Sequence, residues 1–123
     1  MTYYIYILYS NDIDRYYVGY SQNPWIRFEQ HLTNTSDKYT GKAKDWILEA
    51  VFEVAKTKGD ALKIERFIKK QKSRTLIIQL CNLEFTPSGY LAQLVRVPHM
   101  RGWFESNPAL AGEERKRESL TAM

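Results

Sequence analysis

The sequence predicts an α+β fold: a three-stranded antiparallel sheet flanked by helices, in the order ββαβαα, followed by an irregular C-terminal tail. Three observations carry this. Residues 3–9 alternate, are rich in β-formers, and turn back after a polar break into a second run of the same kind. Helix-start chemistry then appears at Asn23-Pro24 and again around Gly59-Asp60. Between these starts, Trp46–Val54 has the composition of a third strand.

Each element has a local cause. Tyr3–Tyr9 and Tyr16–Tyr20 form a hairpin across Asn11–Asp14. Asn23 suits an N-cap and Pro24 the first helical position, with the helix running to Leu32. Thr33–Lys44 is polar and reads as a loop. Gly59-Asp60 precedes a helix from Ala61 to about Lys72, and Ser73 can cap another that ends near Asn82. Thr86-Pro87-Ser88-Gly89 then breaks the pattern. The expected division is a domain over 1–83 and a poorly ordered extension over 84–123. Leu91–Arg96 and Phe104–Ser106 can be reverse-translated into stretches resembling the D-arm and T-arm of a tRNA gene, which suggests a frame overlap and a tail not shaped to fold.

At 123 residues the chain suits one domain with a real core. No apolar run approaches the roughly 20 residues of a membrane span. The N-terminus lacks the basic start and cleavage site of a secretory signal, and the lone Cys81 builds neither a disulfide framework nor a zinc site, so a cytoplasmic setting is expected. The net charge is +4, and residues 1–82 hold all of the surplus, with 13 Lys/Arg against 9 Asp/Glu. Eight basic residues fall between Lys56 and Arg74. Such clustering suits a polyanion, of which nucleic acid is the usual one, although on charge alone a solvated helix face is the simpler reading.

The remaining signals concern chemistry. If paired residue numbers in the hairpin sum to an odd value, Tyr6 and Tyr17 project from one side, with Gly19 leaving room for a ligand backbone to approach. Aromatic cross-strand pairs also simply stabilise hairpins. On the first helix Trp25, Phe28 and Leu32 make the core stripe, while Arg27 and His31 share a second stripe, four residues apart and able to reach one phosphate. Glu65 stands at the edge of the apolar stripe Ala61, Ile64, Phe67 and Ile68, and needs a cation: a metal, or a lysine such as Lys69 four residues on.

In this fixed order, Tyr4-Ile5-Tyr6, Tyr17-Val18-Gly19, Arg27 with His31, and Glu65 in a basic helix resemble the GIY-YIG nuclease superfamily, above all its small stand-alone bacterial members. The likeness covers roughly residues 3–82. Tyr4 stands where the family has its first glycine, and Val18 where it has an isoleucine. The resemblance implies a metal-dependent endonuclease acting on DNA, structure-selective or non-specific, with RNA not excluded and no small-molecule cofactor. It implies catalytic roles for Tyr6, Tyr17, Arg27, His31 and Glu65, with Glu65 holding one Mg²⁺ or Mn²⁺. Gly19, Lys42, Lys44, Lys63, Lys69, Lys70, Lys72 and Arg74 would line the nucleic acid. Asn82 is the candidate for the family's polar residue near the domain end, and Tyr39 for a further group in the loop. The rival reading is a non-catalytic nucleic-acid-binding module on the same fold, its tyrosines stacking on bases. Glu65 argues against it, since a carboxylate repels a polyanion unless a metal intervenes.

Overall fold

The chain is described by a computed structural model, in which residues 1–33 and 42–97 are the described ones. The elements are β1 (Tyr3–Ser10), β2 (Arg15–Ser21), α1 (Pro24–Thr33), β3 (Ile47–Ala55), α2 (Lys58–Lys70), α3 (Arg74–Cys81), a 3-10 helix (Gly89–Gln93) and β4 (Val95–Arg96). The strands form one antiparallel sheet in the order β2-β1-β3-β4. The α+β class and the ββαβαα order are as the sequence predicts, with four strands in place of three.

The hairpin turns at Asp14, whose φ of 51° places it in the left-handed region that aspartate tolerates better than most residues. The Tyr9 hydroxyl donates to the Asp14 carboxylate at 2.7 Å and fixes the turn. Pairing runs Tyr6 with Gly19 and Leu8 with Tyr17, so paired numbers sum to 25. This odd register puts Tyr6 and Tyr17 on one side of the sheet. β1 is the inner strand between β2 and β3, and its alternation divides the interior into two cores. Ile5 and Ile7 join Val18, Ala50 and Phe52 beneath α2 and α3, which contribute Ile64, Ile68 and Leu80. Tyr6 and Leu8 face the other way, with Leu48 and Val51, beneath Phe28 of α1 and Trp46.

Helix starts follow their caps. The Asn23 side chain accepts from the Ile26 amide at 3.1 Å, and the Ser73 side chain from the Leu76 amide at 3.0 Å. α2 begins earlier than the sequence suggests. Its N-cap is Thr57, which accepts from the Asp60 amide, so Gly59 and Asp60 lie inside the first turn. A hydroxyl in extended backbone satisfies the exposed amides better than the glycine two residues on.

The break at Thr86–Gly89 does not end the fold. Gly89 adopts φ +64° and turns the chain back, Leu91 and Leu94 are buried in the α2–α3 core, and β4 pairs with the end of β3. The Arg96 guanidinium donates to the Leu80 carbonyl at 2.7 Å and the Asn82 carbonyl at 2.9 Å, neutralising orphan acceptors at the end of α3, and stacks 4.7 Å from the Phe52 ring. The sheet and core thus extend past residue 83, and Leu91–Arg96, read from the sequence as tail, is packed. Local pattern hid this because β4 is two residues long and held by distant partners. Phe104–Ser106 and the rest of 98–123 lie outside the described residues.

Candidate active site

The edge strand β2 is the wall on which the site is built. Beside it opens a cleft of about 490 Å³, lined by Tyr6, Tyr17, Gly19, Arg27, Lys58 and Glu65, with Tyr3, Tyr20, Ser21 and Gln22 completing its rim. Tyr6 and Tyr17 arrive from the hairpin, Arg27 from α1, and Lys58 and Glu65 from α2. Helices on opposite faces of the sheet therefore meet across its open edge.

Tyr6 is the most constrained member. It is almost wholly buried, and its hydroxyl shares a hydrogen bond of 2.9 Å with Nε2 of His31. The two rings pack with that of Tyr17, at centroid separations of 5.9 Å for Tyr6–His31, 4.9 Å for Tyr17–His31 and 6.2 Å for Tyr6–Tyr17. Burial drives the Tyr6 pKa well above the ordinary phenol value, with the neighbouring Tyr17 adding to it. The charge and hydrogen bonding of Arg27 oppose this without cancelling it. The phenol is thus protonated at neutral pH. A phenolate at this position would need positive charge to favour it; Arg27 supplies the charge, and desolvation outweighs it.

His31 departs from expectation. The Arg27–His31 stripe should lie well away from the core, yet His31 is only 2 % exposed. α1 lies across the sheet so that this stripe points onto the two tyrosines, and the imidazole exchanges water for the Tyr6 hydroxyl. Arg27 also donates to the Gln30 side chain at 3.1 Å, which orients the guanidinium.

The missing side chain at Gly19 serves the packing of the protein itself. A Cβ there would stand 2.5 Å from the Tyr6 hydroxyl oxygen, 2.6 Å from its Cζ and 3.0 Å from Tyr17. The space left by the missing side chain is taken up by the Tyr6 ring of this protein, directly across the pair, while Gly19 itself also lines the cleft.

Glu65 is buried at the cleft and accepts a salt bridge from Lys69 at 2.7 Å, the lysine foreseen for it. The Lys69 ammonium also lies 5.7 Å from the centre of the Tyr17 ring. Among the described residues no group of three or more His, Cys, Asp or Glu side chains gathers to hold a metal. One carboxylate nevertheless fits a hard cation that keeps most of its waters and takes further oxygens from a phosphate, as Mg²⁺ does.

These elements have a recognised counterpart: a family model described as the GIY-YIG catalytic domain matches residues 2–77. The chain belongs to the GIY-YIG family. This is a family of nucleases, generally dependent on divalent metal, and its domain brings an expectation of nucleic-acid binding. The chain is also 38% identical over 73 residues to a "UPF0213 protein" of Limosilactobacillus reuteri (strain DSM 20016), covering 58% of this chain and 75% of that one. No solved structure matches significantly. The 3-10 helix and β4 lie beyond the matched GIY-YIG segment. Among the described residues no helix is long and apolar enough to cross a membrane.

The other residues named from sequence are dispersed around this GIY-YIG cleft. Lys69, Lys72 and Arg74 line a second cavity beside it. Lys42, Lys44, Lys63 and Lys70 are exposed outside the cleft lining. Arg74 is bridged to the Asp14 carboxylate and donates to the Asp14 carbonyl at 3.0 Å, so the hairpin tip already engages its charge. Asn82 is the C-cap of α3, its side chain accepting from the Glu84 amide at 2.9 Å, and it does not line the cleft. Tyr39 lies outside the described residues. Sequence reasoning missed Lys58 as a cleft residue. Its signal was available: seven residues before Glu65 is two helical turns on the same face.

Proposed function

We propose that this chain is a metal-dependent endonuclease that hydrolyses phosphodiester bonds in DNA, structure-selectively or without sequence preference. The observation that supports this most is the convergence of Tyr6, Tyr17, Arg27 and Glu65, from four separate elements, on one cleft. A purely structural hairpin pair has no need of the guanidinium and the carboxylate at the same place.

Glu65 would hold the divalent ion, Mg²⁺ or Mn²⁺, which when bound supplies positive charge to the scissile phosphate and the departing oxygen. Arg27 neutralises the non-bridging oxygens as a two-pronged donor. Lys58, on the same wall, adds attraction for the backbone. Tyr6 handles the water proton. Because its phenol is protonated at rest, it cannot act as a standing base. It accepts the water proton at Oη while its own proton passes to Nε2 of His31, 2.9 Å away. The attacking oxygen gains its electron pair, the imidazole becomes imidazolium, and no free phenolate accumulates. Tyr17, packed on the His31 ring, orients both partners.

The test is nicking of supercoiled, branched and single-stranded DNA with Mg²⁺ or Mn²⁺, by wild type and by Glu65→Ala, Tyr6→Phe and Arg27→Ala. Each substitution is expected to lower cleavage by about a hundredfold or more, the scale of losing a positioned proton-transfer or charge-stabilising group, while binding persists. Undiminished cleavage by Glu65→Ala would defeat the assignment. Binding by wild type without cleavage of any substrate would leave the non-catalytic module.

A further inference from the structure

A second cavity, of about 530 Å³, opens between β2 and the α2–α3 corner. It lies within the roughly 300–1,000 Å³ of ordinary ligand pockets. Its walls are mainly apolar, formed by Tyr16, Tyr17 and Ile77 over the buried Val18 and Ile68, with Lys69, Lys72 and Arg74 also lining it. Two observations join it to the cleft: Tyr17 lines both, and Lys69, which lines this one, is salt-bridged to Glu65, which lines the other.

The backbone at the rim is also unusual. Lys72 adopts φ +49°, a left-handed conformation just past the end of α2, with its amide donating to the Lys69 carbonyl at 3.2 Å. Glycine is the residue favoured at such a position, and a lysine there is strained. The strain places a cation at the mouth of an apolar cavity.

We propose that this cavity receives one unpaired nucleotide of the strand being cut, so that the protein prefers nucleic acid with a displaced residue over continuous duplex. This rests on the nuclease reading of the neighbouring cleft. An apolar interior with a cationic mouth complements a planar base carried on a phosphate. A base within a duplex stays in its stack and leaves such a cavity empty, whereas an extruded or single-stranded one fills it. Contacts to a regular backbone would need cations alone.

The experiment measures binding of the full chain, in buffer containing EDTA, to a duplex with a single bulged 2-aminopurine and to the same duplex without the bulge. Wild type should bind the bulged form about tenfold more tightly or better, with a change in 2-aminopurine emission as the base leaves water. Ile77→Trp, which fills the cavity, should bring the ratio of the two affinities close to one. Lys72→Gly should weaken binding of the bulged form severalfold while raising Tm by a few degrees, because it removes both the cation and the strain. Equal affinities in wild type, or a ratio unchanged in a folded Ile77→Trp, would overturn the proposal. So would 2-aminopurine riboside monophosphate binding as tightly as the strand. Cleavage runs as a separate readout: bulge preference without cleavage sinks the nuclease reading alone, and cleavage without preference sinks the cavity alone.

Discussion

The two sides of the sheet are built from the same strands and do different work. Beneath α2 and α3 the strands present Ile5, Ile7, Val18 and Phe52, an aliphatic and aromatic surface with few polar atoms. Toward α1 they present Tyr6, with its hydroxyl joined to a buried histidine. One residue of offset along β1 separates a surface that holds the fold from one equipped for proton transfer. Each side thus carries an apolar core, and the one toward α1 also keeps polar groups that a pure packing optimum would exclude.

Substitutions on β1 should break this comparison most sharply. Ile7→Ala removes a fully buried side chain from the α2–α3 side and should cost about 2–5 kcal/mol of stability by chemical denaturation. Tyr6→Phe, one position away, should cost only about 1 kcal/mol of stability while abolishing most cleavage. Equal losses of stability in the two variants would show that the sides are not specialised.

Leu94→Ala addresses the segment past residue 83. Its burial in the same core gives an expected loss of about 2–3 kcal/mol, read from the denaturation midpoint, whereas a segment that merely trails the domain would give almost none.

Gly19→Ala probes the side toward α1. The added methyl collides with a ring held by both the sheet and His31, so an overpacking cost of about 1–3 kcal/mol should accompany a loss of cleavage of roughly tenfold or more. Wild-type cleavage in this variant would show that the position of Tyr6 is not critical.

The smallest expected effect is a pH dependence on the opposite side. Burial raises the Cys81 thiol from 9.0 to about 12, with the Glu49 charge adding to the shift. The folded state therefore keeps a proton that the unfolded chain releases. This contribution is fully present below about pH 9 and is lost as pH rises from there through 12. Tyr6, also raised, adds to the decline above pH 10. Cys81→Ala should flatten the first part of the alkaline loss in Tm measured against pH.

Much of this was legible in the sequence, for identifiable reasons. The sharing of one side by Tyr6 and Tyr17 was legible as a condition on the hairpin register, and the pairing across a four-residue turn meets it. Asn23 and Ser73 announced their helices because capping is local chemistry. The burial of His31 was not legible, since helical spacing gives the stripe it occupies but not what that stripe meets. β4 was invisible because a two-residue strand carries no period and depends on Phe52, Glu53 and Leu80, far away in sequence. For Gly19 the lack of bulk could be read from one position, but its packing against the Tyr6 ring depends on the residue across the sheet and could not.

That packing ties two positions together over the history of the chain. While a phenol lies across the edge strand, residue 19 has no freedom to acquire a side chain. A descendant that discarded the ring would release its neighbour at once, so the two sites should drift as a pair or not at all.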